Sequence, residues 1–513
     1  MRTRSPDRSI RSSITEIPGI SRTWTRIGDA RRPWARSTVN PSPLTLFVVK
    51  SSYGERRSPP GAGPKGHRSI GPLPQIQATA SFARGSRSGA VGIQMHDMRG
   101  VLSARFHAFL KRHPRLRQGT LRAYTRVDRL LARIRHPLLR ASPKPEPIAA
   151  SADWVAAFND KEDHPTIVWL GHAEAINNFP PKSSHGFVDG EYERARTGEI
   201  PPAFVLTIPG GRAVGEHGAI VTPDGRLLLD VSKPVGSLRS NMLGDHGSIP
   251  GGDQFFVDAA LPPRRIAGIT AVISSFVGRG YFHWLWDVLP RLGLLAESGN
   301  SIDSIDSFVV PGYFSGFQIE TLSALGIGRS RVISSLQDRN IEAARLLVPS
   351  LPRVTGFVPT WAVDFLRQAF PPSQPTGHDF PRRIYIVRKA TDHGILESED
   401  RLTSRLKQRG FVPMAMENFT LREKAWLLGR AEAIIGPSGA GLCNIVFCQP
   451  GTKVVEIRVQ PYPVMEPWDI ANRCGLDFYD VLPVGYGRTD RTMVTTGRVE
   501  DDEIMATLDM AGL

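Results

Sequence analysis

Three side chains in the segment Gly280-Tyr-Phe-His-Trp-Leu-Trp-Asp-Val-Leu-Pro-Arg-Leu292 could do chemistry together. On a helix, His283, Asp287 and Arg291 fall at i, i+4 and i+8 and share one face. Asp287 would then orient His283, while Arg291 neutralises Asp287 or reaches an anion. A His–Asp pair is what general-base activation of a hydroxyl needs, with imidazole supplying a pKa near neutrality. Trp284 and Trp286 offer an aromatic platform for a sugar ring. The same spacing also suits a structural i,i+4 ion pair and two core tryptophans, and Pro290 threatens the alignment with Arg291.

A second segment runs from Ala431 to Glu456 and contains Gly436-Pro-Ser-Gly-Ala-Gly441. A buried strand should end there and a short helix should follow. Glycines let the backbone approach a ligand, and a helix N-terminus offers N–H groups and partial positive charge to a diphosphate. The turn is neither Gly-x-Gly-x-x-Gly nor a Walker A loop, and tight packing alone would also call for its glycines. Glu456, at the end of the next strand, could accept from a ribose or sugar hydroxyl or simply sit exposed. In Arg382-Arg383-Ile-Tyr-Ile-Val-Arg388-Lys389, Arg388 falls beyond the strand's C-terminal end, where open α/β sheets bind ligands. It is the better diphosphate contact, with Lys389 second.

The elements that must position these groups alternate. Strands are expected at Thr166–Leu170, Ala203–Ile208, Arg226–Val231, Ile269–Ser275, Ser307–Val310 and Arg345–Val348, with helices at Tyr281–Glu297 and Gly316–Leu325. A second set follows: helix Thr360–Phe370, strand Arg383–Val387, helix Ser398–Arg409, strand Phe411–Ala415, helix Leu421–Gly429, strand Ala431–Ile435 and strand Lys453–Ile457. Such alternation implies α/β architecture with parallel sheets covered by helices. Thr222-Pro-Asp-Gly225 is a hairpin signal in the more mixed first set. The organisation expected is a basic extension over 1–98, a basic amphipathic helical segment and Pro-rich linker over 99–150, and two α/β domains, 151–355 and 356–513. A cleft between them would hold the ligand.

Charge supports this division. The chain of 513 residues carries a net +15, which by itself invites a nucleic-acid reading. Residues 1–150 hold 29 of the 64 Lys+Arg and 7 of the 49 Asp+Glu, a net of +22; the remaining 363 are net −7. The basicity therefore belongs to the first third, and specific nucleic-acid binding is not expected of the body. In 1–94, Arg, Ser, Pro and Gly fill 48 positions, too little apolar material to offset the entropy of ordering. No Met lies between Met1 and Met95, so a start at Met95 and a functional basic tail are both open. Residues 99–140 could lie on an anionic membrane surface or pack on the body. No stretch reaches the roughly 18 apolar residues of a spanning helix. Three cysteines, Cys443, Cys448 and Cys474, lack Cys-x-x-Cys spacing, which argues against a zinc site or disulfide framework. They fit buried thiols in a reducing, cytoplasmic setting.

In order and spacing these pieces resemble glycosyltransferase family 61, whose bacterial members are often labelled capsular polysaccharide biosynthesis proteins. The resemblance rests on Phe282-His-Trp-Leu-Trp-Asp-Val-Leu-Pro-Arg291, Ile386-Val-Arg388, Met416-Glu417, and Ile435-Gly-Pro-Ser-Gly-Ala-Gly-Leu-Cys-Asn444 through Val455-Glu456, within roughly 200–460. The family commonly shows His-Gly-Ala where this chain has Ser438-Gly439-Ala440. The resemblance implies a GT-B-like fold of two Rossmann-like domains facing a cleft. It implies inversion at the anomeric carbon and a nucleotide-sugar donor held mainly by the second domain. Donor contacts would be Arg291, Arg388, Lys389, Glu417, Ser438, Gly439, Ala440, Gly441, Asn444 and Glu456.

The expected reaction is attack of a glycan or lipid-linked acceptor hydroxyl, deprotonated by His283 and Asp287, with Trp284 and Trp286 under the acceptor. Arg388 and the glycine turn would stabilise the leaving nucleoside diphosphate. No Asp-x-Asp follows a strand, so cationic side chains rather than a metal are expected to neutralise charge, and no cofactor is expected. Two alternatives stand beside this: a non-catalytic nucleotide- or glycan-binding assembly protein, and a Rossmann-type oxidoreductase.

Overall fold

The computed structural model describes residues 145–158, 164–232, 253–313, 315–354, 356–377, 380–388, 395–397, 399–459, 463–484 and 496–513. The extension 1–98, the amphipathic segment 99–140 and Lys389 lie outside them. All that follows concerns the unit Ala90–Leu513.

The larger of two main sheets is mixed and built on a long strand, Asn340–Pro349. One edge of this strand pairs in parallel with Arg264–Val272, which pairs with Ser307–Val310 and so leads to Val332–Ser334. Its other edge is shared by two antiparallel partners, Arg212–Val214 on its first half and Ala203–Pro209 on its second. Thr166–Gly171 extends the Ala203–Pro209 side. A hairpin continues the other side through Ala219–Val221, Arg226–Leu228 and Glu146–Ile148.

The smaller sheet is wholly parallel, in the spatial order Val412–Met414, Arg383–Ile386, Ala433–Pro437, Lys453–Ile457, Asp477–Val481. Its chain starts at the second position, steps outward, then reverses past its starting strand. Connections leave the two neighbours Arg383–Ile386 and Ala433–Pro437 in opposite directions, and this is where parallel sheets open a crevice at their C-terminal ends. Burial on both faces explains why Ala433–Pro437 is buried along its whole length.

The alternating pattern is thus realised as α/β with one wholly parallel sheet, the larger sheet being mixed. The expected strand Arg226–Val231 differs in ending at Leu228, after which Leu229–Ser232 turns helical. The helix Leu421–Leu428 starts with a capping box, Thr420 and Glu423 each satisfying the other's backbone N–H. Helix Met465–Cys474 ends on Gly475 at φ 65°, the left-handed conformation glycine adopts without steric cost.

The two sheets share one apolar core. It runs from Trp284, Leu292 and Phe308 through Ile384 and Ile434 to Trp468. An early segment also packs on the late sheet and its helix Met465–Cys474: Asn178 donates to Asp469 at 2.7 Å, Lys182 bridges to Tyr479, and Tyr192 packs edge-on against Trp468. Arg458, fully buried, pairs with Asp480 and with Asp189 of this segment. Among the described residues no helix is long and apolar enough to cross a membrane. All three cysteines are free and buried, and burial pushes the Cys443 thiol up to about 12, far from a reactive thiolate.

Candidate active site

The segment that begins the chemistry is not one regular helix. Tyr281–His283 is a single helical turn, Trp284–Val288 a π-helical turn, and Pro290–Glu297 a regular helix with Pro290 at its start. Pro290 has no N–H and its ring would crowd the carbonyl one turn earlier. The wider π turn, closed by Leu289 N–H donating to Trp284 O at 3.0 Å, makes room for it. His283 and Asp287 still meet, with Nδ1 2.6 Å from Oδ2.

Arg291 does not join them. Its guanidinium is fully buried, donating to Ser274 O at 2.6 Å and to Pro349 O, so it ties together the ends of two parallel strands. Burial drives its pKa down to about 9, with Asp287 opposing. The partner of Asp287 is Arg353, whose Nε donates to Oδ1 at 2.5 Å and whose Nη2 lies 3.3 Å from Oδ2. Burial alone would raise the Asp287 carboxyl, but Arg353 and His283 overcome it and hold the group below the usual range. An ionised carboxylate only accepts, so His283 Nδ1 carries the proton and Nε2 is left as the basic nitrogen. The 3.2 Å approach of Arg353 Nη2 to His283 Nδ1 sets a donor beside a donor, both drawn to the same carboxylate. Arg353 is itself placed by Glu466 at 3.6 Å and by the Phe282 ring, 4.9 Å from its cationic carbon.

The tryptophans are a correction. Trp284 and Trp286 are completely buried, and Trp284 Nε1 donates to Thr321 Oγ1 at 2.9 Å. They anchor the segment in the core and present no platform. Phe282, one residue before His283, reaches the cavity instead, as does Phe276.

That cavity, about 250 Å³, is lined by His283, Asp287, Arg353, Gly439 and Ala440 among others. Three contributing loops follow the C-terminal ends of parallel strands: Ser274–Val277 after Arg264–Val272, Leu351–Arg353 after Asn340–Pro349, and Gly439–Ala440 after Ala433–Pro437. Val277 takes φ 54°, an unusual conformation for a β-branched residue and a local strain beside the site.

The two sequence segments are stitched together. Tyr281 Oη donates to Asn444 Oδ1 at 2.6 Å, and Asn444 Nδ2 donates to Gly441 O at 2.8 Å. Lys424 Nζ donates to Tyr281 Oη at 2.9 Å from above its ring. Asn444 is fully buried and holds the turn rather than facing the cavity. The helix expected after the turn is a short 3₁₀ piece, Leu442–Phe447. Its first amides are already committed, Leu442 to Gly439 O and Cys443 to Ala440 O. Among the described residues, no partner is found for the amides of Gly439, Ala440 and Gly441. The turn backbone, more than a helix dipole, is what this site offers an anion.

Arg388 lies directly on that turn: a Cβ on Gly439, whose φ is 147°, would stand 1.3 Å from Arg388 Nη2. Burial lowers the Arg388 pKa against the pull of Glu456 and Glu399. Ser438 is buried, its N–H donating to Ile457 O at 2.9 Å. Glu417 is exposed on the turn Met416–Asn418 that follows strand Val412–Met414. Glu456, read as a possible exposed strand-end carboxylate, is completely buried. Burial, with Asp480 adding to it, pushes its carboxyl up to about 8, against Ser438 and Arg458.

Folded Glu456 therefore keeps its proton to about pH 8, whereas the unfolded chain releases it near the ordinary carboxylate value of 4.5. Between these values the native state binds more protons, so this group makes stability fall as pH rises, by a few kcal/mol across the window. Glu456→Gln abolishes that slope. The expected result is a Tm gain over the parent that is small at pH 5 and grows toward pH 8.5; a gain independent of pH in thermal scans refutes it.

The Glycosyltransferase 61 family model matches residues 281–455. Over that stretch the chain is similar to glycosyltransferase family 61. A comparison with curated proteins found no match. The family 61 match opens at Tyr281 and closes at Val455, so both chemical segments fall inside it except their end residues Gly280 and Glu456, together with Arg353 and Arg388. Part of the cavity wall does not: His217, Ser274–Val277, Val464, Glu466 and Pro467 lie outside the matched stretch. Sequence reasoning missed Arg353 and Glu466. The available signal was position, since Arg353 follows closely on a strand's C-terminal end.

Proposed function

We propose that the protein is an inverting glycosyltransferase moving a sugar from a nucleotide-sugar donor to a glycan or lipid-linked acceptor hydroxyl, in polysaccharide biosynthesis. The observation that carries this reading is one cavity lined by both the His283–Asp287–Arg353 cluster and the Gly439–Ala440 turn. His283 Nε2 takes the acceptor proton as the hydroxyl attacks the anomeric carbon. Asp287 holds the ring and stabilises the imidazolium that forms, and Arg353 keeps Asp287 ionised. The leaving diphosphate gathers negative charge as its bond to the sugar breaks. Arg388 and the Gly439–Gly441 amides are the fixed positive groups that meet it. In this reading residues 151–355 supply the acceptor side and 356–513 the donor side of a GT-B-like arrangement.

The test is a panel of UDP-, GDP- and CMP-sugars with the full chain, reading released nucleotide, beside calorimetric titration of the nucleotides, NAD and NADP. Donor-dependent release with nucleotide binding is the expected outcome. Nucleotide binding with no release under any acceptor points to an assembly protein, and selective NAD or NADP binding to an oxidoreductase.

A further inference from the structure

The cavity has a second wall that the mechanism above does not use. Strands Arg212–Val214 and Ala219–Val221 are joined by the turn Gly215-Glu-His-Gly218, which brings His217 to the cavity. The turn is closed by Gly218 N–H donating to Gly215 O at 3.1 Å. Both glycines have positive φ, 75° and 67°, and a Cβ on Gly218 would strike the Ser274 side chain at 2.9 Å. Only glycine lets the turn sit this close to the loop Ser274–Val277. Ser335 Oγ donates to Glu216 O at 2.6 Å and fixes the turn from below.

The groups so gathered suit a carbohydrate. His217 Nε2 stands 3.2 Å from Glu216 Oε1, so the carboxylate holds that nitrogen protonated and leaves Nδ1 as an acceptor. Phe276 packs edge-to-face on the imidazole, ring centres 4.7 Å apart. Ser275 is more than nine-tenths buried, lines the cavity, and its Oγ has no hydrogen-bond partner among the described residues. A buried hydroxyl left unpaired is costly and is satisfied by a ligand that brings a hydroxyl. Among the described residues, the one arginine lining the cavity, Arg353, is taken by Asp287 and Glu466. Among the described residues this wall therefore offers hydroxyl, imidazole and aromatic groups, and no lysine or arginine free to match an anionic sugar.

We propose that His217, Ser275 and Phe276 form the acceptor subsite and that it takes a neutral pyranose ring. Phe276 lies against the ring's C–H face, while His217 and Ser275 bond its hydroxyls. The assignment to an acceptor rests on the glycosyltransferase reading; the binding of a neutral sugar does not. These residues lie outside the family match, which fits a wall that selects the acceptor rather than one that performs the transfer.

The probes are p-nitrophenyl glycosides of glucose, galactose, xylose, N-acetylglucosamine and glucuronic acid, with binding to the full chain followed by saturation-transfer NMR. At least one neutral glycoside is expected to bind, with transfer concentrated on ring protons. His217→Ala and Ser275→Ala should each weaken it by about tenfold, the size of one lost hydrogen bond in a buried site. His217→Asn guards against a folding defect, and UDP, GDP and CMP affinities report on the rest of the cavity. Glycoside binding by none of the neutral probes, a preference for the glucuronide, or unchanged affinity in all three variants overturns the proposal. Loss of nucleotide binding in the parent protein would instead overturn the glycosyltransferase reading, leaving the sugar-binding result to stand or fall by itself.

Discussion

A His283→Ala enzyme is expected to lose about 10²–10⁴-fold in kcat while nucleotide affinity is retained, the usual worth of a positioned general base. The substitution is clean because it leaves the Arg353–Asp287 pair intact, with Nε 2.5 Å from Oδ1. Asp287→Asn should lower kcat by a comparable factor through the wrong tautomer and orientation of the ring. It carries a second cost: Arg353, partly buried, is left with Glu466 at 3.6 Å as its remaining carboxylate. Removing one partner from a largely desolvated pair leaves the other charge uncompensated, so Asp287→Asn should also lower Tm where His283→Ala does not. Single-turnover rates at saturating donor decide the matter. Parental rates in His283→Ala would sink the base role.

Gly439→Ala is expected to abolish productive nucleotide binding. The new methyl would stand 1.3 Å from Arg388 Nη2, and at φ 147° the backbone is one that L-residues scarcely adopt. The chain must either rotate that peptide, re-aiming the turn amides, or expel the Arg388 guanidinium. Each removes a group assigned to the diphosphate. Backbone strain of this kind costs about 1–3 kcal/mol, within what a domain survives, so the folded variant should remain measurable. Arg388→Lys separates the two effects: it keeps the glycine and the charge but loses the planar fork. Calorimetry of UDP, GDP and CMP should show a loss of at least about tenfold in Arg388→Lys and a larger one in Gly439→Ala. Unaltered affinity in both would place the nucleotide elsewhere.

Much of the fold was legible from the chain because its signals are local. The apolar runs that become Ala433–Pro437 and Lys453–Ile457 are bounded by glycine and polar residues, and strands buried on both faces need such runs. The His283–Asp287 pair was legible for the same reason: four residues on a helical segment are neighbours, and the π turn keeps them in contact. Arg388 and Gly439 were each legible as candidates on separate elements. Their direct contact depends on strands Arg383–Ile386 and Ala433–Pro437 being adjacent in the sheet.

Only the tertiary structure decided which groups share the cavity. Arg353 replaces Arg291 as the partner of Asp287 because Asn340–Pro349 pairs in parallel with Arg264–Val272 and delivers its following loop beside the π turn. Arg291, one turn further along, meets two strand-end carbonyls instead, and a buried guanidinium stays where those bonds are. Trp284 and Trp286 read as a sugar platform or as core with equal ease, since periodicity does not say which face the neighbouring sheet covers; packing made them core. His217 gave no signal at all in the chain. Its role arises from a hairpin turn whose two glycines allow contact with a loop some sixty residues away. Local sequence determined the elements and the pair that could act as a base. Long-range pairing, which no window of residues encodes, determined what stands around that pair.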